Sequence, residues 1–294
     1  MTGQIRIRLV AAASLAWLAF AGGAAAIPAQ SPPSAAAKGR AVTTLYPIPD
    51  SRGLMVTTGG WAYCEQIRPI ARATRYALLC GRYVEDGYLG PGLRSRRRLD
   101  WGDAAYLADL AAKARRLHDR IGGKLILIGV SYSGFGVATL ASHHPELRPD
   151  RLVVVDSYLD LVARRSRLPD WHATAREIDT ETGGSTASLR RRSVRVDGLA
   201  RLVRQGTVLT AVWSVSEEER TFFAGATCDR DANAATLARL ARALGRPVPA
   251  RVTVTRHGHT LWHHGAAIVE GRVPGKLFLF EPDGVVPPGA ACAD

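Results

Sequence analysis

The sequence is poor in cysteine, lysine and methionine, and it has few long apolar runs. Four cysteines in 294 residues exclude a disulfide-dense scaffold, and the lack of any C-x-x-C pair removes the redox dithiol and the zinc ribbon. Beyond the N-terminus no apolar run is long enough to span a bilayer, so a polytopic membrane protein is excluded. The 29 glycines follow no triplet period, which excludes a collagen-like chain. With 47% hydrophobic and 22% charged residues, the chain is too apolar for a solvated, disordered polymer. Its length suits one large α/β domain or two small ones.

What is abundant is arginine. Only Lys38, Lys113, Lys124 and Lys276 are lysines among 39 basic residues, leaving 35 arginines and a net charge of +13. Such a balance attracts nucleic acid, anionic lipid or acidic substrates. No nucleic-acid-binding motif accompanies it, so nucleic acid is not an expected partner. The charges read as a solvated surface, with peripheral contact to an anionic envelope surface as the functional alternative. Arg94, Arg96, Arg97 and Arg98 form one basic run of this kind.

The first 26 residues read as an address. Arg6 and Arg8 form a positive n-region, Leu9 to Phe20 an apolar h-region, and Ala24-Ala25-Ala26 a small-residue cleavage signal. Cleavage after Ala26 leaves 268 residues. The expected location is secreted or extracellular; an uncleaved anchor is the rival reading. Residues 27–45 read as a disordered linker, rich in Pro, Ala and Ser at their start, and residues 46–294 as the folded domain.

Short apolar runs then alternate with helical patterns. The runs are 54–58, 76–80, 124–130, 151–156, 207–213 and 251–255. Being apolar on both faces, they predict strands of a mostly parallel sheet covered by helices on both sides. One further strand is expected around Val42–Pro47. Leu107, Leu110, Ala114, Leu117 and Ile121 form one stripe of a helix over 103–121, with Asp103 as cap and Gly122-Gly123 as its end. A second helix is predicted over about 233–244, and a β-hairpin over Ile268–Glu270 and Lys276–Phe280 around Val273-Pro274-Gly275. Residues 157–206, with ten arginines, read as an inserted lid.

The chemistry centres on Gly129-Val130-Ser131-Tyr132-Ser133-Gly134, where a buried strand runs into a helix. A serine on such a turn is held in a strained conformation with its hydroxyl thrust above the sheet, and its neighbours must be small because strand and helix nearly touch. The stretch G-x-S-x-S departs by one residue from G-x-S-x-G. It resembles the nucleophile turn of the α/β-hydrolase superfamily, and the resemblance covers about residues 46–262. It implies an α/β-hydrolase fold with Ser131 as nucleophile. Thr58-Gly59-Gly60-Trp61 is similar to the family's oxyanion turn, with Thr58 where a His is usual, so the N–H of Gly60 or Trp61 would pair with that of Tyr132. Arg256-His257-Gly258-His259 resembles the family's G-H turn and implies His259 as general base, with His257 as fallback. The acid stays open: Asp229 first, then Asp231, Asp156 and Glu217. His257, His259, His263 and His264 could instead ligate a metal, but Glu270 is the only acid near them in sequence. No metal and no cofactor are expected.

The resemblance implies a secreted serine hydrolase that cleaves a carboxylic ester, thioester or amide of a small or lipid-like acyl substrate. The alternatives are a non-catalytic binding protein on the same fold and an aminopeptidase-like hydrolase. The four cysteines allow three pairings, and the family layout favours Cys64–Cys80 and Cys228–Cys292. Oligomeric state is not legible.

Overall fold

A computed structural model describes residues 41–83, 100–215, 224–254, 260–273, 276–280 and 282. The chain forms β1 (Ala41–Tyr46), β2 (Gly53–Thr57), α1 (Trp61–Thr74), β3 (Ala77–Tyr83), α2 (Ala104–Ile121), β4 (Lys124–Val130), α3 (Tyr132–His143) and β5 (Arg151–Val155). Then come α4 (Leu161–Ser166), α5 (Ala173–Thr182), α6 (Thr186–Arg192), α7 (Val196–Arg204), β6 (Val208–Val215), α8 (Ala224–Leu244), β7 (Val248–Val254), α9 (Thr260–Val269) and β8 (Lys276–Phe280). The sheet order is β1-β3-β2-β4-β5-β6-β7-β8. Strands β2 to β7 run parallel, while β1 pairs antiparallel with β3 and β8 antiparallel with β7. This is a mixed α/β fold with helices flanking a largely parallel sheet, consistent with the α/β-hydrolase architecture that the motif implies.

Alternation along each strand divides the core into two layers. Leu54 and Val56, Leu125 and Leu127, and Leu152 and Val154 face α2, α3, α7 and α8. Met55, Ile126, Ile128, Val153 and Val155 face α1 and α9. Burying both faces explains why the strands read as unbroken apolar runs, since each Leu, Ile or Val side chain so covered stabilises by roughly 1.5–3 kcal/mol.

Helix α2 starts as its sequence dictates: the Asp103 side chain accepts from the N–H of Tyr106 at 2.9 Å, and Gly122 ends the helix at φ 73°. Strand β1 takes in residues 41–45, which the composition places in the linker. Two further expectations are corrected. The segment Ile268–Glu270 is not a hairpin strand: Ile268 and Val269 close α9, and β8 pairs with β7 instead. Two apolar residues followed by Glu270 carry no period, and the packing of Ile268 and Val269 into the α1 layer decides for helix. The helix expected over 233–244 begins at Ala224, because its first turns are rich in small residues with no apolar stripe.

The arginine-rich stretch between β5 and β6 folds into α4–α7. Its first two helices are joined by Arg165, whose guanidinium donates to both carboxylate oxygens of Asp179 at 2.8 and 2.7 Å. That pairing holds the Asp179 carboxyl below its usual range. At the other end of the insertion α7 presses onto α3: a Cβ on Gly198 would lie 1.8 Å from the carbonyl oxygen of Ser142. No helix among the described residues is long and apolar enough to cross a membrane.

Candidate active site

The Gly129–Gly134 turn has the strained conformation expected from its sequence. Strand β4 ends at Val130, α3 begins at Tyr132, and Ser131 between them holds φ 54° and ψ −125°. A positive φ at a serine costs on the order of 1–3 kcal/mol and persists only where surrounding contacts enforce it. Here the N–H of Ser131 donates to the carbonyl of Val155 at 2.9 Å, and its carbonyl accepts from the N–H of Phe135 at 3.2 Å. Ser131 itself is half-buried at the carboxyl end of the sheet, whereas the helix behind it is buried from Tyr132 to Ser142.

The small residues of the motif each meet a neighbour. A Cβ on Gly129 would lie 2.3 Å from both the carbonyl carbon and oxygen of Ser133. One on Gly134 would lie 2.7 Å from the Cβ of Ser157. Ser133 departs from the usual glycine because its hydroxyl has a partner: it lies 2.8 Å from the hydroxyl of Thr57, and both are fully buried. That bond joins the end of β2 to the turn at Ser131.

The second predicted loop sits against the first. Gly59 and Gly60 hold φ 92° and 87°, values that exclude side chains without strain. A Cβ on Gly59 would lie 3.1 Å from the Tyr132 ring and 3.3 Å from the Cβ of Ser133. The structure therefore brings the Gly59-Gly60 turn, at the head of α1, onto the first turn of α3. The Tyr132 N–H, at the first position of α3, has no carbonyl behind it within the helix. The side chain of Trp61 lies outside the described residues.

Among the remaining candidates, Asp156 is the one whose side chain is described. Val130 pairs with Val155, so Ser131 and Asp156 leave adjacent strands side by side. Asp156 also holds a positive φ, 48°, and its N–H donates to the carbonyl of Val212 at 2.9 Å. Asp229 and Asp231, expected in a loop ahead of a helix, instead fall within α8, and their side chains lie outside the described residues. Glu217, His257 and His259 lie outside them as well. The elements flanking residues 255–259 are described: β7 ends with Val254, parallel to β6, and α9 runs back so that Gly271 beyond it meets the guanidinium of Arg151 at the start of β5. Val254 thus ends its strand at the carboxyl end of the sheet, where Ser131 lies.

Sequence reasoning missed Asp100. It is 2% exposed, and its carboxylate accepts from the Tyr132 hydroxyl and, at 3.0 Å, from the N–H of Gly102. The same hydroxyl accepts from the N–H of Trp101 at 3.1 Å. Burial pushes the Asp100 carboxyl up to about 6, although the hydrogen bonds from Tyr132 and Gly102 favour its charged form. Burial, and then the charge of Asp100, push the Tyr132 phenol well above its ordinary range. Around this pair Trp101, Tyr132, Phe135 and Tyr158 form an aromatic cluster, with centroids 5.0 Å apart for Trp101–Tyr132 and for Phe135–Tyr158.

Cys64 and Cys80 are both buried and both free, and their thiols are close enough to hydrogen-bond; burial and the Cys64 thiol push the Cys80 thiol up. The side chain of Cys228, and Cys292 altogether, lie outside the described residues.

No family model matches the chain, and no curated protein matches it. Among solved structures it is similar to carboxyl esterase 2 from the mycorrhizal fungus Tuber melanosporum, at 16% identity and TM-score 0.45 over 74% of this chain and 71% of that one. It is similar to a monoacylglycerol lipase from Paleococcus ferrophilus, at 13% identity and TM-score 0.43 over 79% of this chain and 98% of that one. It is also similar to an α/β hydrolase superfamily protein from Enterococcus faecalis, at 14% identity and TM-score 0.43 over 78% of this chain and 92% of that one.

Proposed function

We propose that the protein is a secreted serine hydrolase that cleaves a carboxylic ester, thioester or amide through an acyl-enzyme. The observation that carries this reading is the backbone of Ser131, a non-glycine residue held at φ 54° between β4 and α3. A serine so strained, at the carboxyl end of a buried strand and with glycine-tight contacts on both sides, has the conformation that a nucleophile turn needs.

In this reading the Ser131 hydroxyl attacks the substrate carbonyl, and His259 takes its proton and later delivers it to the leaving group. The N–H groups of Tyr132 and of Gly60 or Trp61 hold the oxyanion; removing one such donor typically costs about 10²–10³ in rate. Support for the paired donors is the contact of the Gly59-Gly60 turn with Tyr132 and Ser133. Asp156 is the acid we favour, because it leaves the sheet beside Ser131 and its positive φ is a second strained backbone at the same edge. Helices α4–α7 act as the lid. Export rests on the n-region, h-region and small-residue site of residues 1–26.

The test is a fluorophosphonate probe on the folded protein. Labelling at Ser131, abolished by Ser131→Ala and slowed by His259→Ala, is the expected result. Folded protein left unlabelled would sink the proposal.

A further inference from the structure

Residues 100–103 form a turn between the nucleophile helix and the lid, and they bond to both. On one side are the two bonds to the Tyr132 hydroxyl, from Trp101 N–H and to the Asp100 carboxylate. The Trp101 ring meets the Tyr132 ring edge-on, 5.0 Å between centroids at 73°. On the other side the guanidinium of Arg192, the last residue of α6, donates to the carbonyl of Asp100 at 3.1 Å and lies 3.8 Å from the carboxylate of Asp103. The Trp101 indole donates to Glu177 of α5 at 3.2 Å. Gly102 is pressed so closely on the lid that a Cβ would lie 2.4 Å from the carbonyl oxygen of Arg192.

A buried carboxylate needs a reason to be tolerated, since taking its charge out of water is costly. Two hydrogen bonds offset part of that cost here, and one of them comes from the side chain of the residue after Ser131. Tyr132 is thereby fixed at both ends, by its phenol and by its peptide at the head of α3. Its peptide N–H is the donor that an oxyanion would use.

We propose that Asp100 is a positioning residue for the oxyanion donor: through the Tyr132 hydroxyl it fixes the first residue of α3, and through Arg192 and Glu177 the same turn ties that residue to the lid. The role rests on the hydrolase reading given above. It adds to that reading a link by which the placement of α5 and α6 reaches the oxyanion amide. Preorganised donors act by costing no rearrangement as charge develops, so a donor freed to move loses turnover before it loses substrate binding.

The experiment compares Asp100→Asn, Tyr132→Phe and the double variant on p-nitrophenyl esters of short acids. It is run well below the melting temperature, with near-ultraviolet circular dichroism to show native packing. Each single variant is expected to lower kcat about tenfold or more with KM changed less than about twofold. The double variant is expected to be no worse than the weaker single, because both break one link. Tyr132→Phe removes only a hydroxyl and carries the test alone should Asp100→Asn fail to fold. Folded variants with wild-type kcat, or losses that multiply in the double, would overturn the positioning role. Wild-type protein that is folded but unlabelled at Ser131 overturns the hydrolase reading, and this inference with it; a labelled wild type beside unaffected variants overturns this inference alone.

Discussion

Replacing Gly129 by alanine isolates the geometry of the nucleophile turn. The added methyl would stand 2.3 Å from the carbonyl carbon and oxygen of Ser133 and 2.5 Å from the N–H nitrogen of Gly134. These are backbone atoms at the head of α3 and cannot rotate aside. Carbon contacts are relaxed at about 3.5–4.0 Å, so β4 and α3 must part by roughly 1 Å. Overpacking of this kind costs about 1–3 kcal/mol, and in a domain of this size each kcal/mol lowers Tm by about 2–4 °C. Displacing the Ser131 hydroxyl by that distance lowers reactivity by on the order of 10²-fold. The assay pairs a thermal melt with the rate of fluorophosphonate labelling. Gly183→Ala is the control, since Gly183 also has a positive φ, 76°, but its Cβ would meet nothing within 4 Å. That variant loses stability through strain and keeps its labelling rate. If Gly129→Ala matches wild type in both Tm and labelling, strand and helix are not in contact there and the account of the turn is wrong.

Four more outcomes follow from the same contacts. In the buried Thr57–Ser133 pair, Ser133→Ala strands a hydroxyl and costs about 1–3 kcal/mol by urea denaturation, as does Thr57→Val; the double variant costs less than the sum, and strict additivity would refute the bond. Asp156→Asn lowers the labelling rate of Ser131 by at least about 10²-fold while Asp229→Asn does not; the reverse pattern moves the acid to α8. For Asp100, the folded carboxyl at about 6 lies above its ordinary 3.8, so the folded protein keeps its proton where the unfolded chain has lost it. The stability contributed by Asp100 is therefore greatest below pH ~4 and is lost as pH rises through ~6, by about 3 kcal/mol in all; urea titrations should show wild type losing ground to Asp100→Asn over that window, and a constant difference would disprove the burial cost. Non-reducing peptide mapping of oxidised protein should recover Cys64 joined to Cys80, given their adjacent buried thiols; either one joined to another cysteine would rule the pairing out.

Legibility in the sequence followed sequence separation. Strand β4 was readable from Lys124–Val130 because it is buried on both faces, and the cap and stop of α2 lie within its own few residues. The Ser131 turn was readable for the same reason: its strain is local. The partner of Ser133 was not, since Thr57 lies 76 residues away and a Thr-Thr-Gly-Gly stretch says nothing about which hydroxyl it will meet. Asp100 was invisible, because Asp100-Trp101-Gly102-Asp103 reads as a surface turn and a helix cap, and only the fold buries its first member. The early turns of α8 hid behind Gly225, Cys228 and Asp229, none of which marks an apolar stripe. Which acid leaves the sheet beside Ser131 depends on which strands are neighbours, and the β4–β5 pairing puts Asp156 there.

The two ends of the α4–α7 segment differ in their freedom to evolve. At its tip the chain turns through Gly183 and Gly184 at φ 76° and 66°, and a Cβ on Gly183 would meet nothing within 4 Å, so only the backbone conformation restricts that position. At its root Gly198 is jammed on Ser142, ten residues and more along the helix that carries the reactive turn. Sequence change is therefore tolerated more readily at the tip than at the root. A segment transplanted from elsewhere would have to bring its own glycine to that root.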